Sequence, residues 1–399
     1  MELYVHIPFC VRKCDYCDFL SFPGFGCGAD EKHRSLSCHY TDALCTELKG
    51  IMTVLKDEGI GCDTCFIGGG TPSVLDLSET EKLLKVISEG IAPKEFTVEC
   101  NPGTLNIDKL KMYKDYGVNR LSLGLQSADN GILKALGRIH NFEQFLDSYR
   151  LAESVGFDNI NVDLISSVPC QNMANWKDTL EKVTGLSPKH ISAYSLILEE
   201  GTPLYKRYEE DPDSLKLPDE DEEREIYHYT KESLEKQGYY RYEISNYAKK
   251  GFECRHNIGY WTGEEYIGAG LGAASYLSYK NALKLKAAAV KNDDENSMLR
   301  IKNTDDMEFY TASPADCAVT EEVLGKIEQM SEYCILGLRM TKGISVTGFS
   351  SRYGTDIMAK YKDIIEKYIQ MGLLEKDGDF IRFTERGRDV SNTVLCEFL

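Results

Sequence analysis

Met1-Glu-Leu-Tyr4-Val-His6-Ile-Pro-Phe-Cys10-Val-Arg-Lys-Cys14-Asp-Tyr16-Cys17-Asp-Phe19 begins with a short strand-like run and closes in three cysteines, spaced three and then two residues apart. Three thiolates on one loop directly after a strand suggest an iron-sulfur cluster. A cube-type cluster normally takes four cysteines, so a set of three leaves one iron without a protein ligand. An open coordination position is where an exchangeable ligand binds, by the logic that separates catalytic from structural metal sites. The alternative is a zinc knuckle completed by His6 or His33, although structural zinc sites usually join two separated ligand pairs. A disulfide framework fits less well still. The chain has 14 cysteines in 399 residues and no apolar secretory segment at its start, which leads us to expect a reducing, cytoplasmic setting.

Composition narrows the function classes. A hydrophobic content of 42% supports a packed core, and the length suggests two domains or one large α/β domain with an appendage. No apolar run approaches a membrane span. A net charge of -18 argues against a nucleic-acid binder, because affinity for phosphate backbones rests on concentrated Lys and Arg.

Working outward from the cysteines, short β-branched runs alternate with longer amphipathic ones, the pattern of βα units on a parallel sheet. The strand candidates are 3–7, 64–67, 96–99, 119–124, 159–165 and 190–196. Helix candidates lie between them at 42–57, 78–89, 107–116, 142–155 and 176–183. Six strands with intervening helices predict an α/β fold, a partial (β/α)6 barrel, whose functional groups should gather at the C-terminal strand ends. Polar residues do fall there. Gly68-Gly69-Gly70-Thr71-Pro72 follows the second strand, and its missing side chains would let a ligand reach backbone. Glu99 ends the third strand, where it could receive an ammonium or a ribose hydroxyl, or else cap the next helix. Gln126, Ser127, Arg138, Asn161 and Asp163 continue the pattern.

These stretches, with Arg120-Leu-Ser-Leu-Gly124-Leu-Gln126-Ser127 and His190-Ile-Ser-Ala-Tyr194-Ser-Leu, resemble the radical S-adenosylmethionine superfamily in its branch related to oxygen-independent coproporphyrinogen III oxidase. The likeness covers most of residues 1–275. Within that branch the chain is most similar to the HemW haem chaperone group. Phe19 stands where the oxidase is expected to carry a further cysteine, and His256-Asn257-Ile-Gly-Tyr260-Trp261 matches the group's His-Asn-x-x-Tyr-Trp pattern.

The resemblance implies that Cys10, Cys14 and Cys17 hold a 4Fe-4S cluster with S-adenosylmethionine on the fourth iron. Tyr4 and Tyr16 would flank the two, while Gly69, Gly70 and Thr71 would meet the methionine moiety. Glu99, Gln126, Arg138 and Asp163 match cofactor contacts of the oxidase, and Ile197 could pack on the adenine. His256 is a candidate haem ligand with Tyr260 and Trp261 as an aromatic wall, Cys254 being a competing ligand; the bland reading of His256 is a loop-fixing hydrogen bonder. Two departures stand out. Ser167 and Cys170 replace glycines usual in relatives, which should stiffen that turn, and Ala274 replaces a usual histidine.

The expected domains are residues 1–276, a connector 277–305 with a charged stretch at 280–296, and a small winged-helix-like α+β unit at 306–399. That unit should hold helices at 321–338 and 357–371 and a hairpin turning at Asp377-Gly378. Residues 301–399 carry 12 Lys and Arg against 17 Asp and Glu, so a lid or docking module is expected there instead of a DNA reader. The acidic stretch 209–225 is expected to be a solvated loop and helix start.

Three functions remain open. The first is a haem chaperone that binds cluster, S-adenosylmethionine and haem and passes haem to an acceptor protein. The second is a radical enzyme that decarboxylates a porphyrinogen propionate, fed by an electron donor such as a flavodoxin or ferredoxin. The third is a zinc-stabilised interaction protein. Phe19 and the His256 stretch favour the first, in which no residue is catalytic.

Overall fold

The computed structural model describes residues 1–285, 287 and 294–399. Six parallel strands form its centre: β1 (Glu2–Ile7), β2 (Thr64–Gly69), β3 (Glu95–Cys100), β4 (Arg120–Gln126), β5 (Ile160–Ser166) and β6 (His190–Ser195), paired in chain order. Side chains of a strand point alternately to its two faces. One set, including Leu3, Val5, Ile7, Leu121, Leu123, Val162 and Ile191, is buried in the main hydrophobic core. That core also takes the buried stripes of α1 (Glu31–Asp57), α2 (Leu77–Gly90), α3 (Ile107–Asp115), α5 (Phe142–Ser154) and α6 (Met173–Gly185); α4 (Asn130–Ala135) packs in a smaller cluster. The opposite set, including Tyr4, Phe66, Glu99, Arg120, Ser122, Asp163 and Ser192, lines the inside of the partial barrel.

The connection after β6 contains α7 (Pro203–Glu210) and α8 (Glu220–Lys236), followed by β7 (Tyr240–Arg241), β8 (Asn246–Ala248), α9 (Arg255–Thr262) and β9 (Tyr266–Ala269). β9 pairs parallel with β1, so the barrel sheet continues past its first strand. Beyond it come β10 (Ala274–Ser278), α10 (Tyr279–Lys284), β11 (Met298–Asn303), α11 (Met307–Ala312) and β12 (Ala318–Leu324). Among the described residues the sheet has twelve strands in the order β12-β11-β10-β9-β1-β2-β3-β4-β5-β6-β8-β7, with antiparallel strands at both edges. The sequence pattern shows the central six and misses these additions.

The C-terminal unit consists of α12 (Lys326–Gly337), β13 (Ile344–Ser345), α13 (Val346–Tyr353), α14 (Ile357–Gln370), β14 (Leu374–Asp377), β15 (Phe380–Phe383) and short terminal helices. Its antiparallel sheet runs β13-β15-β14, the hairpin turning through Gly378 at φ 58° as the Asp-Gly pair demands. A separate core of Met330, Phe349, Ile357, Ile365, Ile381 and Phe398 holds it together.

Three expectations need correction. α1 starts at Glu31, well before residue 42, because Asp30 caps it by accepting from the His33 amide, and its polar first turns hide the helical period. Residues 321–324 are strand, not helix: Val319, Thr320 and Val323 pair with β11, and the helix begins only after Gly325. The boundary at 276 falls inside β10, and β11 lies in the expected connector, so the large sheet runs on to Leu324. Of the charged stretch 280–296, residues 286 and 288–293 lie outside the described residues.

Candidate functional site

The cysteine loop is anchored on its apolar side. Phe9 is fully buried, stacked on Phe25 at 4.2 Å between ring centroids and edge-on to Tyr40 at 5.1 Å. The Cys10 amide donates to the Phe22 carbonyl and the Phe25 amide to the Cys10 carbonyl. Cys10 is buried, while Cys14 and Cys17 are half-buried and closed into a turn by the Cys17 amide on the Cys14 carbonyl. Burial pushes the Cys10 thiol up and the Cys17 thiol up to about 11, so loading a metal requires release of protons held there.

Hydrogen-bond donors from later strand ends reach these sulfurs. Asn101 donates its amide to Thr71 Oγ1 at 2.7 Å, which leaves the Thr71 hydroxyl hydrogen free to point to Cys10 Sγ at 3.5 Å. Arg138 donates Nη1–H to Cys14 Sγ at 3.3 Å and Nη2–H to both the Asn101 side-chain oxygen and the Gly124 carbonyl, each at 2.8 Å. Its Nε is buried with no partner among the described residues. Tyr16 packs against Ile132, Leu136 and Val168. Three thiols on one loop with donors aimed at two of them fit a thiolate-held iron-sulfur cluster. No three His, Cys, Asp or Glu side chains among the described residues are grouped to hold a single ion. His6 is not a spare zinc ligand either: Tyr4 bonds its Nδ1 and its Nε2–H donates to the Leu20 carbonyl. A second Cys-x-x-Cys pair does exist, Cys62 and Cys65, but it lies at the start of β2, at the opposite end of the barrel from the cysteine loop.

The glycine run makes room for protein groups. A Cβ on Gly69, whose φ is 110°, would stand 2.4 Å from the His6 ring; one on Gly70 would stand 2.8 Å from the Phe9 carbonyl oxygen. The amides of Gly69, Gly70 and Thr71 are taken by Glu99 Oε2, the Ile7 carbonyl and the Phe9 carbonyl. The amide contact with a ligand expected there is therefore spent within the fold. Gln126 ends β4 at φ 72°, a left-handed conformation next to a register shift in the strand.

Inside the barrel lies a polar cavity of about 180 Å³ that brings together Tyr4, Glu99, Asp163, His256 and Tyr260 from the sequence reading. Asn161, also named there, joins them, and the cavity adds residues that reading did not single out, namely Arg120, Ser122, Ser192 and Asn257. Most of these were visible as the polar alternates of their strands. Asp163 accepts from Ser122 at 2.9 Å and from the Asn161 amide at 2.7 Å. The Asn161 oxygen accepts from His190 Nδ1–H at 2.6 Å, and His190 Nε2 takes the Tyr242 hydroxyl. Burial pushes Asp163 up, and burial reinforced by Asp163 pushes Glu99 up to about 8. Fully buried Arg120 has two guanidinium nitrogens without partners among the described residues.

His256 does not look outward. Its Nδ1 bonds Thr64 at 2.8 Å and its Nε2 bonds the Tyr260 hydroxyl at 3.0 Å, with Phe66 stacked on the ring at 5.1 Å. Burial, with Arg120 nearby, lowers its pKa to about 3, so it stays neutral. Both ring nitrogens are thus engaged within the chain, the hydrogen-bonding role that the sequence also allowed. Cys254 gives its thiol to Glu95, which also accepts the Arg255 and His256 amides and so caps α9. Trp261 leaves the cavity altogether and lies under the Arg339 guanidinium of the C-terminal unit. Ile197 is 69% exposed beyond β6, and Ala274 is exposed at the start of β10.

The turn at Ser167 and Cys170 takes a backbone geometry that favours glycine. Ser167 and Cys170 adopt φ of 58° and 63°, respectively. Residues with a Cβ are held there by the Ser167 amide on Gln171 Oε1 and the Cys170 amide on the Leu215 and Lys216 carbonyls.

Comparison with known proteins agrees with this geometry. The radical SAM superfamily model matches residues 4–183 and the HemN C-terminal domain model residues 324–390. Heme chaperone HemW of Lactococcus lactis is 36% identical over 400 residues, covering 99% of this chain and 96% of that protein. HemW of Bacillus subtilis is 33% identical, covering 99% and 98%, and HemW of Escherichia coli 30%, covering 100% and 98%. The solved structure of Escherichia coli coproporphyrinogen III oxidase, HemN, described as a radical SAM enzyme, superposes with a TM-score of 0.79 at 20% identity, over 100% of this chain and 89% of its own, a likeness of fold. With the cysteine loop at the mouth of a partial barrel and full-length relatives above 30% identity, the chain belongs to the HemW heme chaperone family of the radical SAM superfamily.

Proposed function

We propose that this chain is a haem chaperone that carries a 4Fe-4S cluster on Cys10, Cys14 and Cys17, holds S-adenosylmethionine at the barrel mouth, and passes haem to an acceptor protein. The observation that carries the reading is the pair of donors aimed at the cysteine loop, Thr71 at Cys10 and Arg138 at Cys14, with Asn101 bonded to both donors. When bound, the cluster and S-adenosylmethionine supply one-electron chemistry. In this reading Glu99 and Asp163 offer carboxylates to the ammonium and hydroxyl groups of S-adenosylmethionine, Tyr4 and Tyr16 flank the cluster and cofactor, and Ile197 packs on the adenine. Gln126, held in strained backbone, faces the same mouth.

Haem is cargo here, and His256, the candidate haem ligand inside the barrel, has both ring nitrogens engaged by Thr64 and Tyr260. The reading therefore puts haem outside the barrel. Fourteen unpaired cysteines support a reducing, cytoplasmic location; no described helix is long and apolar enough to cross a membrane. A flavodoxin- or ferredoxin-type donor is required only where the cluster is reduced.

The test is anaerobic reconstitution. About four irons per chain and an electron paramagnetic resonance signal shifted by S-adenosylmethionine are expected, together with one haem per chain and no decarboxylated product from coproporphyrinogen III. Product formation would establish the oxidase-type reaction instead. Zinc in place of iron would overturn both.

A further inference from the structure

Residues 204–216, on α7 and the turn that follows, bond to two loops at the barrel mouth that are far apart in sequence. At one end the Leu204 amide donates to the Asp15 carbonyl at 2.8 Å, and Arg207 donates Nη2–H to Asp15 Oδ2 at 3.0 Å. At the other end the Leu215 and Lys216 carbonyls receive the Cys170 amide. α7 is set for this task by the Thr202 cap and by Pro203 in its first turn.

Asp15 is the residue between Cys14 and Tyr16, and its amide, its carbonyl and one carboxylate oxygen are all engaged. Its amide donates to the Leu136 carbonyl at 3.2 Å. Its carboxylate lies so near Gly137, at φ 73°, that a Cβ there would come within 2.5 Å of Oδ1. The half of the loop that carries Cys14 and Cys17 is thus held from outside through Asp15, whereas the half before it is held by the Phe9 packing.

We propose that Arg207 is a positioning residue for the cysteine loop: through Asp15, and with the Leu204 amide, it keeps Cys14 and Cys17 presented together for the cluster. The proposal rests on reading Cys10, Cys14 and Cys17 as cluster ligands. Ordering several residues of loop costs conformational entropy, and a tether that holds the loop before metal arrives removes that cost from assembly. The Asp15–Arg207 pair is partly exposed, so its effect is local and modest.

The experiment compares wild type with Arg207→Ala, Arg207→Lys, Asp15→Ala and the double variant. In the apoprotein, iodoacetamide alkylation is followed at each cysteine by mass spectrometry, with exposed Cys27 and Cys38 as internal references. Arg207→Ala should speed alkylation of Cys14 and Cys17 about three- to fivefold, the range an exposed ion pair supplies, and leave Cys27 and Cys38 unchanged. Arg207→Lys should fall between. Arg207 also reaches the Ala135 carbonyl at 3.5 Å, so the double variant should be no faster than Arg207→Ala, in which the side-chain link to Asp15 is already broken. In reconstituted protein, iron loss to a chelator should rise by a similar factor. Unchanged rates at Cys14 and Cys17, or equal acceleration at all four cysteines, overturn the proposal. A wild type that takes up no cluster overturns the functional reading, and the alkylation ratios still decide the role of Arg207.

Discussion

Arg138 and Cys14, 124 positions apart, meet through a guanidinium N–H aimed at the thiol sulfur at 3.3 Å, while the other terminal nitrogen holds Asn101 and the end of β4. One planar side chain thereby joins the cysteine loop to two strand ends. Lysine has a point charge on a flexible stem and cannot serve three partners in that fixed geometry. In Arg138→Lys the iron content should persist, since all three thiols remain, but affinity for S-adenosylmethionine should fall about tenfold or more, the scale of a lost hydrogen bond to a charged group. Equilibrium dialysis of the reconstituted protein checks this; unchanged affinity would remove Arg138 from the binding site.

His256 should prove structural. Both ring nitrogens are hydrogen-bonded inside the barrel. His256→Ala should leave the visible spectrum of haem-loaded protein as it is, and lower stability by about 1–3 kcal/mol through the unpaired Thr64 and Tyr260 hydroxyls. A shifted Soret band would restore it as an axial ligand.

The turn at Ser167 and Cys170 offers a gain in stability. Each residue pays the cost of a Cβ in left-handed backbone, about 1–2 kcal/mol. Replacing either with glycine relieves that strain but frees the unfolded chain, which takes back part of the gain. Ser167→Gly and Cys170→Gly should therefore each raise the urea midpoint by an amount corresponding to about 0.5–1 kcal/mol, with an unchanged slope.

Glu99 gives the apoprotein a pH signature. Its carboxyl is pushed from its ordinary value of 4.5 to about 8, chiefly by burial and then by Asp163. The folded state therefore holds a proton that the unfolded state has released, and this contribution to stability falls as pH rises between 4.5 and 8. Glu99→Gln should stabilise the apoprotein at pH 9, by an amount on the order of a few kcal/mol, and do little at pH 4. Melting curves of the two proteins that stay parallel across that range would show Glu99 already ionised in the fold.

The central strands and the cysteine loop were legible because their signals are local. Period-two alternation in Arg120–Gln126 and Ile160–Ser166 separates outward leucines and valines from inward polar residues, and cysteine spacing needs no tertiary context. The same alternation also pointed to Arg120, Ser122 and Ser192, which the strand-end rule passed over because they sit below the mouth. What stayed hidden depends on pairing across long separations. β9 joins β1, and β12 is a strand only because β11 lies beside it. Likewise nothing local shows that Thr64 and Tyr260 occupy the His256 ring, or that Trp261 turns to Arg339. The Cys62–Cys65 pair shows the converse limit, since its spacing suggests a metal and its place at the far end of β2 serves packing.

α9 is eight residues long, and its two ends belong to different parts of the molecule. Glu95, on the barrel floor, receives its first amides, while Arg352 of the C-terminal unit donates to the carbonyls of Thr262 and Gly263 where it stops. The helix behaves as a rigid strut with a joint in each body. His256 and Tyr260, on the cavity wall, thus sit on one short element that is bonded both to the barrel floor and to the C-terminal unit.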